Sequence, residues 1–340
     1  MTAGARPVPR LVLVTGGNGF VGCHVVRALL ARGDRVRVLI RPGAYRAALE
    51  GLEVELAIGD LRDREAVDRA VAGCDQVYHV AADYRLWVPE PAAMYAANVD
   101  GTCNVIEASR HARVERMVHC STVGTLGIPP GGAGTEDTPV SIEKMVGPYK
   151  RSKFIAEQVA LEAARAGVPV VVVNPSTPIG PLDLKPTPTG RIIVDFLNRR
   201  MPAYVDTGLN LVDVSDVAQG HLLAAERGRI GEKYVLGGEN LTLRELLERL
   251  ARISGLPAPR VRLPYAVAFG FALGAEAVSR VLTHRAPRAS VTEVRMSRKH
   301  MFFDSAKARG ELGYSPRRVE AALAAAVEFF RKTGLARDAA

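Results

Sequence analysis

Val12-Leu-Val-Thr-Gly-Gly-Asn-Gly-Phe-Val-Gly22 carries an apolar, β-rich run straight into glycines and then into a helical pattern. Gly16, Gly19 and Gly22 fall three apart at that junction. Glycines there let the backbone turn tightly and approach a ligand closely. The helix that follows offers unpaired N–H groups and the positive end of its dipole. Strand, turn and helix in this order suit a dinucleotide pyrophosphate. Cofactor contacts are therefore expected from Gly16, Gly19, Phe20, Val21 and Gly22. A tight strand–helix turn without a ligand is the plainer alternative.

Outward from this junction, short β-rich runs alternate with helical ones. Arg10–Thr15, Arg35–Ile40, Val54–Ile58, Gln76–Val80, Arg116–Cys120 and Pro169–Asn174 read as buried parallel strands, with helices at Gly19–Ala31, Arg64–Ala72 and Met94–His111. Such alternation predicts an α/β fold, a Rossmann-type doubly wound parallel sheet with helices on both faces. After Asn174 the texture changes. Residues 175–190 hold five prolines, which predicts an ordered loop over a site and excludes regular helix or central strand. Helices at Arg191–Arg200, Ser215–Arg227, 242–254, 264–283 and 318–333, with a strand at Lys233–Leu236, read as a smaller C-terminal α/β substrate lobe. The expected division is a dinucleotide-binding domain over 1–174 and a mainly substrate-binding lobe over 175–340. The boundary is blurred, some segments returning to the first lobe.

The end of the second strand decides between the two nicotinamide cofactors. An acidic residue there binds ribose hydroxyls, and an arginine accommodates a 2′-phosphate. Here the strand ends in Arg41, with no carboxylate before Glu50, which favours NADP(H) over NAD(H). A solvated loop arginine is the alternative. After the third strand come Asp60 and Leu61, where Asp60 either caps the next helix or meets the adenine. Ala81 and Ala82 follow the fourth strand and leave room for a cofactor to pass.

Tyr149-Lys-Arg-Ser-Lys153 places a phenol and an ammonium four residues apart, on one face of a helix. A nearby ammonium is expected to lower the phenol's pKa, so that it can trade a proton near neutrality. A hydroxyl that hydrogen-bonds a substrate carbonyl completes such a set, and Ser121-Thr122 follows the fifth strand directly. Ligands bind at strand C-termini in sheets of this kind.

The order TGGNGFVG, GDL, VAA, NVDGT, ST and YKRSK over residues 15–153 resembles the extended short-chain dehydrogenase/reductases. That resemblance implies that Lys153 also holds the nicotinamide ribose and that Asn98 supports the site. It aligns Thr122 with the family's catalytic Ser/Thr, with Ser121 the close second. Pro175 and Thr177 are counted with the cofactor contacts. A narrower likeness spans nearly the whole chain. AADYRLW (81–87), YKRSKF (149–154), NPSTPIGP (174–181), KPTPTGRIIVDFLN (185–198), MPAYVDTGLNLV (201–212), VLGGENLTL (235–243) and RMSRKHMFFD (295–304) resemble the hopanoid-associated sugar epimerases, which are also similar to dihydroflavonol reductases. Asp213 departs from that pattern, where a histidine is expected. The likeness also implies dimerisation through helices Met94–His111 and Tyr149–Arg165.

Composition narrows the classes. The chain has 340 residues, 45 Lys and Arg against 36 Asp and Glu, and a net charge of +9. These cations are scattered and not interleaved with stacking aromatics, so no nucleic-acid partner is expected. Cys23, Cys74, Cys103 and Cys120 show no CxxC spacing and read as free thiols, which with the lack of a signal peptide points to the cytoplasm. Leu263–Ala275, the longest uncharged apolar stretch, is too short to span a bilayer, which needs about 20 residues. A peripheral contact with a membrane surface is left open. The histidines lack HxxxH or HExxH pairing, so no metal is expected, and there is no nucleophile elbow or Walker A loop.

These motifs imply NAD(P)-dependent carbonyl/carbinol redox chemistry on a sugar-derived group, with a hopanoid side chain as the substrate the resemblance suggests. An NADPH-dependent aldehyde or ketone reductase of dihydroflavonol-reductase type is the alternative, and a non-catalytic dinucleotide sensor ranks below both. Dehydration would want a carboxylate beside the Ser/Thr, and Val123-Gly124 offers none. Substrate contacts are expected from Asp83, Tyr84, Arg85 and Trp87, and from Lys185, Thr187, Thr189 and Arg191. Arg85 and Lys185 would act as polar or anionic clamps, and Met301-Phe-Phe303 either lines an apolar channel or belongs to the core.

Overall fold

The computed structural model describes residues 9–279, 287 and 290–336. In chain order its elements are β1 (Leu11–Thr15), α1 (Phe20–Arg32), β2 (Arg35–Ile40), β3 (Val54–Ile58), α2 (Arg64–Val71), β4 (Gln76–His79), α3 (Ala92–Tyr95), α4 (Gly101–His111), β5 (Arg116–Cys120), α5 (Gly147–Arg165) and β6 (Val170–Pro175). There follow β7 (Thr177–Ile179), α6 (Pro188–Leu197), β8 (Ala203–Val205), β9 (Gly208–Asp213), α7 (Val214–Arg227), β10 (Lys233–Leu236), β11 (Glu239–Thr242), α8 (Leu243–Ser254), β12 (Val261–Leu263), α9 (Tyr265–Val278), α10 (Val291–Met296), β13 (His300–Met301) and α11 (Val319–Lys332).

Seven strands form one parallel sheet in the order β10-β6-β5-β4-β1-β2-β3. Its strand order reverses at β1, between β2 and β4, and all six pairings are parallel. Central strands read as continuous apolar runs because helices cover both faces. Val170 to Val173 of β6 are completely buried. At the far edge the expectation of a buried strand fails for β3, where Leu56 and Ile58 are exposed. With one neighbour only, β3 lacks the cover its interior companions have.

The proline-rich segment also departs from expectation. Thr177–Ile179 is a strand that pairs in parallel with Leu211–Asp213 of β9, and α6 starts at Pro188, three residues before the expected helix. Both prolines sit where a missing N–H costs little, Pro178 in a short edge strand and Pro188 at the first helical position. A second sheet runs β11-β9-β13 with β7 also on β9, while β12 pairs with β8. Around it α6, α8 and α11 bury a separate cluster that includes Ile193, Leu246, Leu250 and Leu323.

β10, expected in the smaller lobe, is the last strand of the main sheet, pairing in parallel with Val172–Pro175. Tyr234, Val235 and Leu236 are completely buried there, so the sheet gains more from this strand than solvent would. The expected helix Met94–His111 is interrupted by a π turn at Ala96–Asp100 between α3 and α4. Residues 280–283, expected to extend α9, lie outside the described residues.

Candidate active site

At the end of β1 the chain turns through Gly16 at φ +70°, and a Cβ there would lie 2.6 Å from the Cα of Ala81. A Cβ on Gly22 would collide with the Gly16 carbonyl. Glycine is thus imposed at both positions, the first by conformation and the second by close packing of α1 on the turn. Gly19 precedes α1 without a side-chain cap, which leaves the first-turn N–H groups at Phe20 and Val21 to an anion. The Ala81 N–H is held by Thr15 Oγ1 at 3.2 Å, so the segment with Ala81 and Ala82 passes against the glycine turn.

Arg41 lies just past β2, exposed, with no hydrogen bond or ion pair from its guanidinium among the described residues. Hydrogen bonds from Arg62 hold the Asp60 carboxyl below the usual range, and the charge of Arg41 adds to this. For Asp83 burial pushes upward, but Arg85 and then Arg41 outweigh it. Arg41 therefore faces both carboxylates. Of the two roles open to Asp60, the cap of α2 falls to Asp63, which accepts from the Ala66 N–H. Leu61 is fixed by Asn104, whose Nδ2 donates to its carbonyl at 2.8 Å.

Across the sheet, Thr122 and Tyr149 meet. The Thr122 hydroxyl accepts from the Gly124 N–H at 3.1 Å and lies near enough to the phenol to lower its pKa. Ser121 turns the other way and donates to Glu157 Oε2 at 2.6 Å. Lys153 is buried, and its Nζ donates to the Cys120 carbonyl at 2.8 Å. The expected lowering of the phenol's pKa by Lys153 is not what this geometry produces. Burial pushes Tyr149 up to about 12, and the Thr122 hydroxyl offsets this only in part. Burial also lowers the Lys153 ammonium from its usual range.

Glu157 completes the face that sequence reading left at Lys153. Its Oε2 accepts from Ser121, from Thr125 at 2.7 Å and from Asn174 Nδ2 at 2.7 Å, and it has no exposure at all. The signal was present, since Tyr149, Lys153 and Glu157 recur every four residues. Two imidazoles, His79 and His119, lie nearby with ring centroids 5.4 Å apart. Burial and then the Lys153 charge drive both pKa values down, His79 to about 3, so both are neutral. His79 bridges Thr15 and Thr102.

Asn98, in the π turn, ties the loop after β4 to α5. It accepts from the Asp83 N–H at 2.7 Å and donates to the Asp83 carbonyl and to Ser152 Oγ, each at 2.9 Å. Pro175 closes β6 and Thr177 opens β7, one residue apart at the junction of the two sheets.

Tyr84 is exposed at the surface, with Asp83 beside it in sequence and Asp183 and Arg191 within electrostatic reach. Partial burial raises its pKa, Asp183 and Asp83 add to this, and Arg191 opposes it. Arg85 is engaged with Asp83 within its own loop. Lys185 is exposed and lies over the Tyr45 ring, 5.9 Å from its centroid. Thr187 caps α6 and donates to Asp183 Oδ2 at 2.8 Å, and Thr189 is buried behind it. Trp87 is half-buried. Asp213 caps α7 and pairs with Arg317 at 2.9 Å, a structural use for the residue that stands in place of histidine. Phe303 belongs to the core with Val123, Leu126 and Val235, and Met301 packs against that cluster. Lys150, which no sequence signal marked, touches Met301 Sδ at 3.9 Å, and burial with the neighbouring Lys299 lowers it to about 8.

A strand–glycine turn–helix junction and a Thr/Tyr/Lys cluster at the carboxyl ends of one parallel sheet define a nucleotide-dependent redox enzyme. Residues 12–237 match the NAD dependent epimerase/dehydratase family, and the chain belongs to it, as an NAD(P)-dependent enzyme of the extended short-chain dehydrogenase/reductase class. It is 45% identical over 94% of its length to a Synechocystis sp. protein named as a dihydroflavonol 4-reductase, 94% of which is covered. It is 39% identical over 95% of its length to sterol demethylase protein B of Methylococcus capsulatus, 99% of which is covered. The crystal structure of gox2253 superposes with a TM-score of 0.86 at 47% identity, covering 96% of this chain and all of that one.

Two outcomes follow from the buried carboxyls. Glu157→Ala strands three buried donors at about 1–3 kcal/mol each, so the urea midpoint falls sharply, whereas Glu157→Gln loses less. Asp183 is raised from 3.8 to about 6 by burial. Its protonated form is the one the fold favours. Relative to Asp183→Asn, the wild type therefore loses stability as pH rises from about 4 to about 6, on the order of 3 kcal/mol, and the difference is level above that. Urea titrations of both proteins across this range check the sign.

Proposed function

We propose that the chain is an NADP(H)-dependent carbonyl reductase acting on an aldehyde or ketone of a sugar-derived, lipid-linked substrate, with a polycyclic lipid side chain of the hopanoid type as the carrier. The observation that carries this reading is that the Tyr149 phenol and the Thr122 hydroxyl come together after β5, where Val123 and Gly124 offer no carboxylate for dehydration. The phenol is protonated at neutral pH, the state from which it would give a proton to a forming alkoxide. Thr122 would hold the carbonyl oxygen against that phenol. Lys153, anchored on the Cys120 carbonyl, would place its ammonium at the ribose side of the site.

The cradle fits a dinucleotide. Gly16, Gly19 and Gly22 leave no side chain between the β1 turn and the backbone around it, and the uncapped start of α1 faces the pyrophosphate position. When bound, the nicotinamide supplies or accepts the hydride. Arg41, with its guanidinium unpartnered, supports a 2′-phosphate and thus NADP(H). The reductase name of the Synechocystis relative and the sterol-related name of the Methylococcus relative point towards net reduction and a lipid substrate. The family also contains epimerases, so the balance of cofactor separates the two chemistries.

Purified protein is expected to oxidise one NADPH for each carbonyl reduced, followed by absorbance and product analysis. Conversion of a sugar without net NADPH loss would replace this reading with epimerisation. Tyr149→Phe is expected to lower kcat by about 10²–10⁴-fold with the fold intact. Arg41→Ala is expected to raise the Kd for NADPH by about tenfold and leave NADH nearly unchanged, as a lost charge-assisted contact to one phosphate would.

A further inference from the structure

Lys150 follows Tyr149 on α5, and its stem turns to the segment after β5. A Cβ built on Gly124 would lie 3.4 Å from Lys150 Cε and 3.4 Å from Thr122 Oγ1. The lysine stem and the Thr122 hydroxyl therefore flank one spot, which any side chain at 124 would fill. Further out, Lys150 reaches β13 of the second sheet, where its Nζ lies 3.9 Å from Met301 Sδ. The ammonium thus stands where the smaller lobe meets α5, beside Thr122 and Tyr149.

Its partners do not match its charge. An ammonium carries three donors, and a thioether is a weak acceptor. Lys153, on the next turn of the same helix, shows what a buried ammonium finds when the fold provides for it. It has a carbonyl at 2.8 Å and the favourable charge of Glu157. Lys150 has no carboxylate partner among the described residues, and the charge that bears on it is another cation, Lys299. Acids close to it in sequence or along β13 are used locally. Asp304 accepts from the Ala306 N–H, and Ser141 hydrogen-bonds the Glu143 carboxyl. Burial and the like charge lower the Lys150 pKa to about 8, so folding alone does not satisfy this group. A partly buried cation left unpaired is costly, and an anion brought by a ligand removes that cost.

We propose that Lys150 and Lys299 form a subsite for an acidic group of the substrate, a carboxylate or a phosphate, next to the carbonyl that Thr122 and Tyr149 receive. Lysine suits this role as a point charge on a flexible stem, which meets either oxyanion. The inference rests on the carbonyl reductase reading for the reacting group and adds the class of substituent that lies beside it. Substrates with an acid a few atoms from the carbonyl are favoured over their neutral counterparts.

The test uses the full chain saturated with NADPH, so that the glycine turn and Arg41 do not compete for added anions. Inorganic phosphate, succinate and neutral succinamide are titrated by calorimetry and thermal shift. Phosphate, succinate or both are expected to bind and succinamide not to, and whichever binds names the acid. Lys150→Met is expected to raise that Kd by about tenfold or more and Lys299→Ala by less, while Lys150→Arg retains binding. Lys150→Gln takes the place of Lys150→Met if the latter does not fold. Equal binding by the wild type and the Lys150 variants, or no anion binding by the wild type, overturns the subsite. Turnover separates it from the reductase reading. Glyceraldehyde 3-phosphate and succinic semialdehyde are compared with glyceraldehyde and butanal as substrates for NADPH oxidation. The wild-type kcat/KM is expected to favour the acids, and Lys150→Met to lose that preference; equal values for acidic and neutral aldehydes in the wild type also overturn the subsite. Anion binding through Lys150 with no aldehyde reduced sinks the reductase reading alone. Reduction of neutral aldehydes without anion binding sinks the subsite alone.

Discussion

One carboxylate joins the parts that build the candidate site. Glu157 lies on α5, and its Oε2 receives Ser121 and Thr125 from the segment after β5 and Asn174 from β6. These groups come from two segments about 50 residues apart, and one buried oxygen on a third element draws them together. With Ser121 committed to Glu157, the chain that follows must present Thr122 on the other side, where Tyr149 waits. A buried charge is costly unless hydrogen bonds satisfy it, so this arrangement tolerates little looseness. Lys153, one turn earlier on the same helix, grips the Cys120 carbonyl and pins the same strand end a second time. The phenol's position is therefore set by the packing of α5 on β6 and on the segment after β5, and not by a direct bond to lysine.

That chain of dependence also marks what could be read in the sequence. The glycine turn and the spacing of Tyr149 and Lys153 are local, fixed by one strand–helix junction and one helical period. They were legible for that reason. The partner of Lys153 was not, because it depends on which strand end faces α5. The proline-rich stretch hid β7 and the start of α6 for a similar reason. Proline is tolerated on an edge strand and at a helix's first position, and only the tertiary neighbours say that Pro178 and Pro188 occupy those places. The same limit applied to β10, plainly a strand in sequence but silent about which sheet it would join. The phenol's pKa follows its burial, while Lys153, which spacing set beside it, turns to the Cys120 carbonyl instead.

The second sheet does more than cover the first. Its strand β7 follows β6 after one residue, and the loop between β7 and α6 carries Asp183, whose charge raises the pKa of Tyr84. Asn98 holds the Tyr84 loop from the opposite direction through both backbone groups of Asp83. The π turn that carries Asn98 fits this role, since such turns re-aim side chains inside otherwise regular helices. Asp83 and Asp183, 100 residues apart in sequence, thus both lie within electrostatic reach of Tyr84.

The return of β10 to the main sheet has a consequence in time. Ribosomes add roughly 5–20 residues each second, so β10 emerges about 3–12 s after β6. Throughout that interval the nascent chain presents β6, a run of four valines, as an open strand edge with its N–H and C=O groups unpaired. The native sheet closes this edge only once residue 236 is available. Until then the β6 edge offers the unpaired groups through which open strands associate with other chains.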